Sequence, residues 1–584
     1  MQNIFSKFKQ SKFFNFFCYL WVGIFSTLAF APYGISELVF IAPFGLFWIE
    51  EKYHGQYKVL FRKGLLFSIV FCFCSYYWIN YMLMVFGGFP FFLAIPLFLL
   101  YCIIVNWKFG VFMMLLSFLK KKIGRHNLFV PGFAIILAEF FTWQIFPWYY
   151  GNLLAGNVIL SQVVEYTGVY GLSILVFIIA YPLFQYPIWR IFKAKSKRYK
   201  SLTRLYLIKA LNILAVFALL GGALFWKWSH VEPVATRQIL IIQPDAPLEF
   251  RDGRVREAIE ALMNRIEKLV IEGSENERPD LVVLPESGVP FYSTRNAPET
   301  TTYDLVYWSR FEALIYQLSN RFKTNIFFNE IDASFQDNKP QVENLRFHNS
   351  STIFDPNGNR GEFYRKSYLL AFGEYIPLGE TFPILYKIIP QIGRFLPGEE
   401  QNLITYFKNK SEVQFNKPHL RWIDSSFMNM QTQREYYKEN KTEVEPAGKF
   451  LPLICYEVIL PEFVRKFHKK EMPDFIVNIT NDKWYGKTVE SYEHLDLARL
   501  RSIEYRRWMV RATNSGTSAF VDHLGRIVNN KMTPLATHDR YSRPVEVIQS
   551  GPTFYLLYGN LIVWLFIIIC SLVFGIKIYN KTKK

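Results

Sequence analysis

Three residue types able to run nucleophilic acyl chemistry stand where apolar runs end. Cys455 closes the run Leu451–Cys455 and is followed at once by Tyr456 and Glu457. The run Leu281–Leu284 leads into Pro285-Glu286-Ser287-Gly288, and Tyr364-Arg365-Lys366-Ser367 precedes the turn-like stretch from Phe372 through Glu374 to Pro377. A thiol becomes a nucleophile with a base to take its proton, and it needs a cation or N–H donors to hold the oxyanion it creates. The ends of strands are where open α/β sheets carry such groups. Taken singly, each residue also has an ordinary reading. Cys455 would serve as a small buried hydrophobe, Glu286 as a solvated loop residue and Lys366 as a surface lysine, so spacing alone does not join them.

The surrounding pattern supplies elements to position them. Between residues 231 and 550, β-like runs recur at Gln238–Gln243, Leu281–Leu284, Asn325–Asn329, Leu451–Cys455 and Phe475–Ile479, with helical periodicity at Val255–Glu272 and Ser491–Tyr505. This alternation predicts an α/β domain of strands with covering helices. Residues 405–448 are polar and aperiodic and read as an inserted loop. Of six cysteines, Cys18, Cys72, Cys74, Cys102 and Cys570 fall in long apolar stretches, which leaves Cys455 without a partner for a disulfide inside this domain.

The rest of the 584-residue chain is of another kind. Half of all residues are hydrophobic (51%) and 18% aromatic, a composition that excludes disorder. The net charge of +18 is not a nucleic-acid signature. Residues 1–230 and 551–584 hold 25 Lys and Arg against 5 Asp and Glu, whereas residues 231–550 hold 41 against 43. The polar middle has no positive excess to cluster, so no nucleic-acid partner is expected. Apolar runs near 13–32, 36–50, 64–84, 89–119, 129–146, 170–189, 205–226 and 555–576 predict eight membrane spans, the fourth long enough to be kinked. Basic residues gather at Lys7–Lys12, Lys52–Lys63, Lys120–Arg125, Arg190–Arg204 and Lys577–Lys584. By the positive-inside rule both termini are cytoplasmic and residues 231–550 lie outside. The predicted domains are therefore residues 1–230 with seven spans, the outer domain 231–550, and residues 551–584 with the eighth span and a basic tail. A cleaved signal peptide is disfavoured by the length of the first apolar run and by Pro32 after Ala29-Phe30-Ala31. Glu139, inside the fifth span, is expected to satisfy a hydrogen bond within the bundle, with a functional role as the alternative. Trp143, Trp148, Tyr149 and Tyr150 read as an interfacial aromatic belt.

In order along the chain, Leu284-Pro285-Glu286-Ser287, the stretch Tyr364–Pro377, Ile454-Cys455-Tyr456-Glu457 and Asn478-x-Thr480-Asn481-Asp482-x-Trp484-Tyr485-Gly486 resemble the carbon–nitrogen hydrolase (nitrilase) superfamily with its Glu-Lys-Cys triad. The multi-span N-terminus, Phe146-Pro147-Trp148, the Arg499-x-Arg501-x-x-Glu504 helix and Arg511–Gly516 extend the resemblance, over nearly the whole chain, to bacterial apolipoprotein N-acyltransferases. It implies an α-helical membrane bundle joined to an extracytoplasmic αββα sandwich. It also implies Cys455 as nucleophile, Glu286 as general base and Lys366 as oxyanion stabiliser. Tyr456 would add its backbone N–H, Glu374 would position the lysine or relay protons, and Glu457 would support the nucleophile. Phe250 stands where some members carry a tryptophan, and the long interval from Lys366 to Cys455 fits the insertion at 405–448. The implied partners are a phospholipid acyl donor and a diacylglyceryl apolipoprotein acceptor, handled by a monomer in the bacterial inner membrane, the catalytic domain facing the periplasm. No cofactor or metal is implied. A membrane-tethered amidase, or a lipoprotein-binding protein without catalysis, would use the same residues differently.

Overall fold

The computed structural model describes residues 11–85, 87–185, 197–248, 255–288, 305–335, 345–388, 393–408 and 444–582. The chain forms two compact units. One comprises Met1–Val231, Thr488–Tyr505 and Pro552–Lys584, the other Glu232–Lys487 and Arg506–Gly551.

The first unit is helical. Among the described residues, Leu160–Gln185, Arg204–Ser229 and Leu561–Lys581 are each long and apolar enough to cross a bilayer. Two further helix pairs pass that test together but are bent, Tyr57–Ser75 with Trp78–Val85 by 75° and Phe91–Asn106 with Lys108–Ile123 by 44°. The second bend lies within the long run expected to kink. Glu139 Oε1 accepts the Tyr150 N–H at 2.7 Å, a bundle hydrogen bond as expected. The aromatic belt needs correction. Trp143 is exposed, but Trp148, Tyr149 and Tyr150 are buried. Trp148 stacks on Phe71 with ring centroids 4.9 Å apart and donates its Nε1–H to Asn106 Oδ1. A satisfied indole packed between helices gains more than one left at an interface.

The second unit is built on two sheets. Strands β1 (Ala235–Gln243), β2 (Leu281–Val283), β3 (Asn325–Phe335), β4 (Leu345–Phe354), β5 (Arg360–Arg365) and β11 (Asp539–Val547) form a six-stranded sheet in the order β11-β1-β2-β3-β4-β5. Strands β6 (Ile404–Phe407), β7 (Pro446–Ile454), β8 (Phe475–Thr480), β9 (Met509–Thr513) and β10 (Ala519–Val521) form the other, in the order β10-β9-β8-β7-β6. Each has a parallel core, β1-β2-β3 and β7-β8-β9, flanked by antiparallel strands. Pleat alternation decides which side chain goes where. Leu240, Ile242, Val282, Ile326 and Phe328 point to one face and pack on the helices Val255–Glu277 and Leu305–Phe322. Phe327 points the other way and meets Phe450 of β7 edge-on, centroids 4.9 Å apart, so the two sheets pack face to face. Polar groups on the facing side are paired across the gap. Asn325 exchanges hydrogen bonds with the backbone of Phe407, and Arg237 donates to Tyr406.

The five β-like runs of the sequence correspond to β1, β2, β3, β7 and β8, and the two helical patterns to Val255–Glu277 and Glu490–Tyr505. The helix Glu490–Tyr505 groups with the first unit. Most of the polar insertion, residues 409–443, lies outside the described residues, as does Phe250. Because Phe327 fills the contact between the sheets, Phe327→Ala should cost about 3–5 kcal/mol of stability, read as a lowered melting temperature in detergent. An unchanged melting temperature would contradict face-to-face packing through this residue.

Candidate active site

The parallel strands end in residues with unusual backbones. Asp245 after β1, Ser287 after β2 and Cys455 after β7 all have positive φ, at 50°, 50° and 57°. Left-handed backbone at a non-glycine residue is costly and persists where surrounding contacts enforce it. Asp245 N–H is held by Asn514 O and Ser287 N–H by Asn329 Oδ1. The Cys455 carbonyl accepts Asn478 Nδ2 at 3.1 Å. Cys455 therefore sits one residue past its strand, not on it, and opens the short 3₁₀ turn Cys455–Ile459.

Glu286, Lys366 and Glu374 meet in one buried cluster. Lys366, just past β5, is 1% exposed and Glu286 5%, so their charges need partners inside the protein. Lys366 Nζ lies 3.4 Å from Glu286 Oε1 and 3.0 Å from Glu374 Oε1. Burial alone would push the ammonium down, but the two carboxylates hold it well above the ordinary lysine range. It stays charged. Asn349, on β4, spends its two Nδ2 hydrogens on the same carboxylates, 2.8 Å from Glu286 Oε1 and 2.7 Å from Glu374 Oε1. Its own oxygen accepts Asn329 Nδ2 at 2.7 Å. Glu374 is further held by Leu370 N–H, and Glu286 Oε2 accepts the Asn481 N–H at 3.1 Å.

Glu457 braces the Cys455 turn against the lysine segment. Its Oε1 accepts Tyr364 OH and the backbone N–H of Ser367 and Tyr368, while Oε2 accepts Ile454 N–H. One side chain thus ties the end of β7 to the residues flanking Lys366. Burial is the main reason its carboxyl is pushed up to about 7, against the pull of the nearby lysine. Tyr456 OH donates to Leu369 O and reinforces the same junction. Behind the turn, the buried Arg511 binds Asn478 Oδ1 at 2.6 Å and Asp482 Oδ2 at 3.0 Å, fastening β8 and β9 under Cys455.

The Cys455 thiol is raised well above its usual range, first by burial and then by the Glu286 charge, with Lys366 opposing. It rests as a thiol. Burial also raises Glu286, with Lys366 pulling it down, which suits a group that takes a proton and returns it. Arranged this way, the cluster can deprotonate a thiol and stabilise an oxyanion. Of the residues expected from sequence, Glu286, Lys366 and Glu374 are brought into direct contact. Glu457 and Tyr456 lock the cysteine turn to the Lys366 segment, and Phe250 is not described. Asn478, Asn481 and Arg511 stand in motifs that carry the resemblance but had no role assigned to them, and Asn329 and Asn349 were not expected. The sequence signal of these last two is polar residues on strands whose neighbours are apolar.

Lys366→Met should slow alkylation of Cys455 near neutral pH by at least about tenfold, since losing the cation raises the thiol further and each unit is a factor of ten in thiolate. Peptide-resolved mass spectrometry reads this, and an unchanged rate would remove Lys366 from the site. A carboxyl raised from 4.5 to about 7 on folding contributes stability that is present in acid and lost as pH rises through 7. Glu457→Gln should therefore destabilise most at or below pH 4.5. Its melting curve should converge on wild type by pH 8, the gap closing by about 3 kcal/mol. Parallel curves would contradict this.

Residues 234–536 match the carbon-nitrogen hydrolase family, and residues 22–181 match the apolipoprotein N-acyltransferase N-terminal domain. The chain is 51% identical over 580 residues to apolipoprotein N-acyltransferase 2 of Leptospira interrogans, covering 97% of this chain and 96% of that protein. It is 28% identical to apolipoprotein N-acyltransferase 1 of the same species, covering 96% of each, and 26% identical to the apolipoprotein N-acyltransferase of Bdellovibrio bacteriovorus, covering 95% and 92%. Among solved structures it is similar to Saccharomyces cerevisiae Nit3 of the nitrilase superfamily, at 16% identity and a TM-score of 0.32, covering 55% of this chain and 93% of that one.

Proposed function

The chain belongs to the apolipoprotein N-acyltransferases, and from that membership we propose that it acylates the N-terminal amine of lipoproteins through a thioester on Cys455. The observation that carries this mechanism is a lysine kept charged by two buried carboxylates, one of which, Glu286, also acts electrostatically on the protonated Cys455 thiol.

In the first half-reaction, the Glu286 carboxylate takes the Cys455 proton and the thiolate attacks the ester carbonyl of a membrane phospholipid. The Lys366 ammonium and the Tyr456 backbone N–H hold the negative oxygen of the tetrahedral intermediate. When the carbon–oxygen ester bond breaks, Glu286 returns the proton to the departing lysophospholipid oxygen, and the acyl chain remains on sulfur. In the second half-reaction, the α-amine of an S-diacylglyceryl cysteine attacks the thioester. Glu286 takes a proton from that nitrogen and gives it to the leaving thiolate, which restores the enzyme and leaves an amide. Glu374 keeps Lys366 in place and charged while Glu286 is transiently neutral.

The reading extends to placement. Eight spans, cytoplasmic termini and a periplasmic catalytic domain at 231–550 are supported by the alternation of basic connections with apolar runs and by the neutral charge balance of the middle region.

The test is intact-mass analysis after incubation in phospholipid micelles. Wild type should gain one acyl chain that hydroxylamine removes, and Cys455→Ser should gain none. With a diacylglyceryl lipopeptide added, the adduct should be lost from the enzyme and appear on the peptide amine. Release as free fatty acid would point instead to a hydrolase, and the absence of any adduct would overturn the thioester route.

A further inference from the structure

We propose that the side-chain amide of Asn481 binds a substrate oxygen beside the Glu286 base, an inference that rests on the acyl-transfer reading above. Asn481 is the first residue after β8. The residue before it, Thr480, ends β8 and donates its hydroxyl to Asp482 Oδ1, and the backbone N–H of Asn481 itself is on Glu286 Oε2. The residue is 1% exposed.

The orientation of its amide is fixed by its neighbours. Ala246 N–H donates to Asn514 Oδ1, so the Asn514 amine faces Ala246 O and, at 3.2 Å, Asn481 Oδ1. Lys483 N–H, which can only donate, independently points at the same Asn481 oxygen at 3.3 Å. The other end is therefore the NH₂, and it has no hydrogen-bond partner among the described residues. A buried donor left unmade is expensive and calls for a reason.

The base supplies one. Glu286 Oε1 already receives Asn349 Nδ2 and Lys366 Nζ, whereas among the described residues Oε2 receives only the Asn481 N–H. The oxygen with a lone pair to spare is the one next to Asn481. Any group that exchanges a proton with Glu286 at Oε2 therefore arrives at the oxygen that carries the Asn481 backbone N–H, on the residue whose amine is unpartnered. Two substrate oxygens fit: the glycerol oxygen of the donor ester, which leaves as the alcohol, and the first peptide carbonyl of the acceptor, adjacent to the attacking amine. Both are hydrogen-bond acceptors bound close to the atom that loses or gains the proton.

The experiment uses the full-length Asn481→Ala enzyme in phospholipid micelles and measures three rates. These are alkylation of Cys455 by a small oxygen-free alkyl halide across pH, acylation of Cys455 by phospholipid, and discharge of the thioester onto a diacylglyceryl lipopeptide. The expected result is an alkylation profile within about twofold of wild type, with acylation or discharge slowed by about 10²-fold. Slowed acylation assigns the donor ester oxygen, and slowed discharge the acceptor carbonyl. Normal rates in both steps would overturn the proposal. So would an alkylation profile that shifts in parallel, because Asn481 would then act through Glu286. If Asn481→Ala does not fold, Asn481→Ser keeps a side-chain oxygen without adding charge and supports the same comparison. A wild-type enzyme that forms no thioester would overturn the underlying mechanism instead, so the two failures are distinguishable.

Discussion

A single ammonium group sets the terms for the catalytic unit. Lys366 is buried with essentially no solvent contact, and an ion in that position is tolerated only when opposite charge and hydrogen bonds replace its hydration. Glu286 and Glu374 supply the charge, and Asn349 keeps both carboxylates turned toward the lysine. Two carboxylates around one ammonium leave the cluster with negative charge to spare. That excess, together with burial, keeps the nearby thiol protonated.

Holding such a cluster requires a rigid frame, and the frame comes from where the parallel strands of both sheets end. Positive-φ residues after β1, β2 and β7 turn the chain sharply at these ends, pinned by the Asn514 backbone carbonyl and by the side-chain amides of Asn329 and Asn478. Glu457 then bolts the cysteine turn to the lysine segment through four hydrogen bonds, and Arg511 fastens β8 to β9 beneath. Amides and buried ions thus replace the flexible glycines that such turns usually employ. The backbone strain is local, and the hydrogen-bond network that enforces it is shared with the catalytic groups.

Much of this was readable beforehand. The apolar runs that became β1, β2, β3, β7 and β8 are short, rich in branched residues and bounded by polar turns, so their period was unambiguous. The strands β4, β5, β6, β9, β10 and β11 were not recognised: Asn349, Ser350 and Ser351 interrupt the apolar pattern of β4 and Glu362 and Arg365 that of β5, while β6, only four residues long, falls at the start of the stretch read as an insertion. Those polar residues face the site or the edge of the sheet, and function overrides periodicity there. The burial of Trp148 was missed for a related reason. Its sequence neighbourhood is aromatic, and only the tertiary partner Asn106 reveals why it is drawn inside. Asparagines carry no charge pattern, so the network that orients the carboxylates was invisible until strands from distant positions met.

The dependence of Cys455 chemistry on a lysine held by Glu374 is best tested with a double-mutant cycle. The quantity is the single-turnover rate of Cys455 acylation in wild type, Lys366→Met, Glu374→Gln and the double variant. If Glu374 acts by holding Lys366, the double variant should be no slower than Lys366→Met alone, with each single change costing about 10²–10³-fold. Losses that multiply in the double variant would mean that the two residues act independently, and the central role given to the buried ammonium would be wrong.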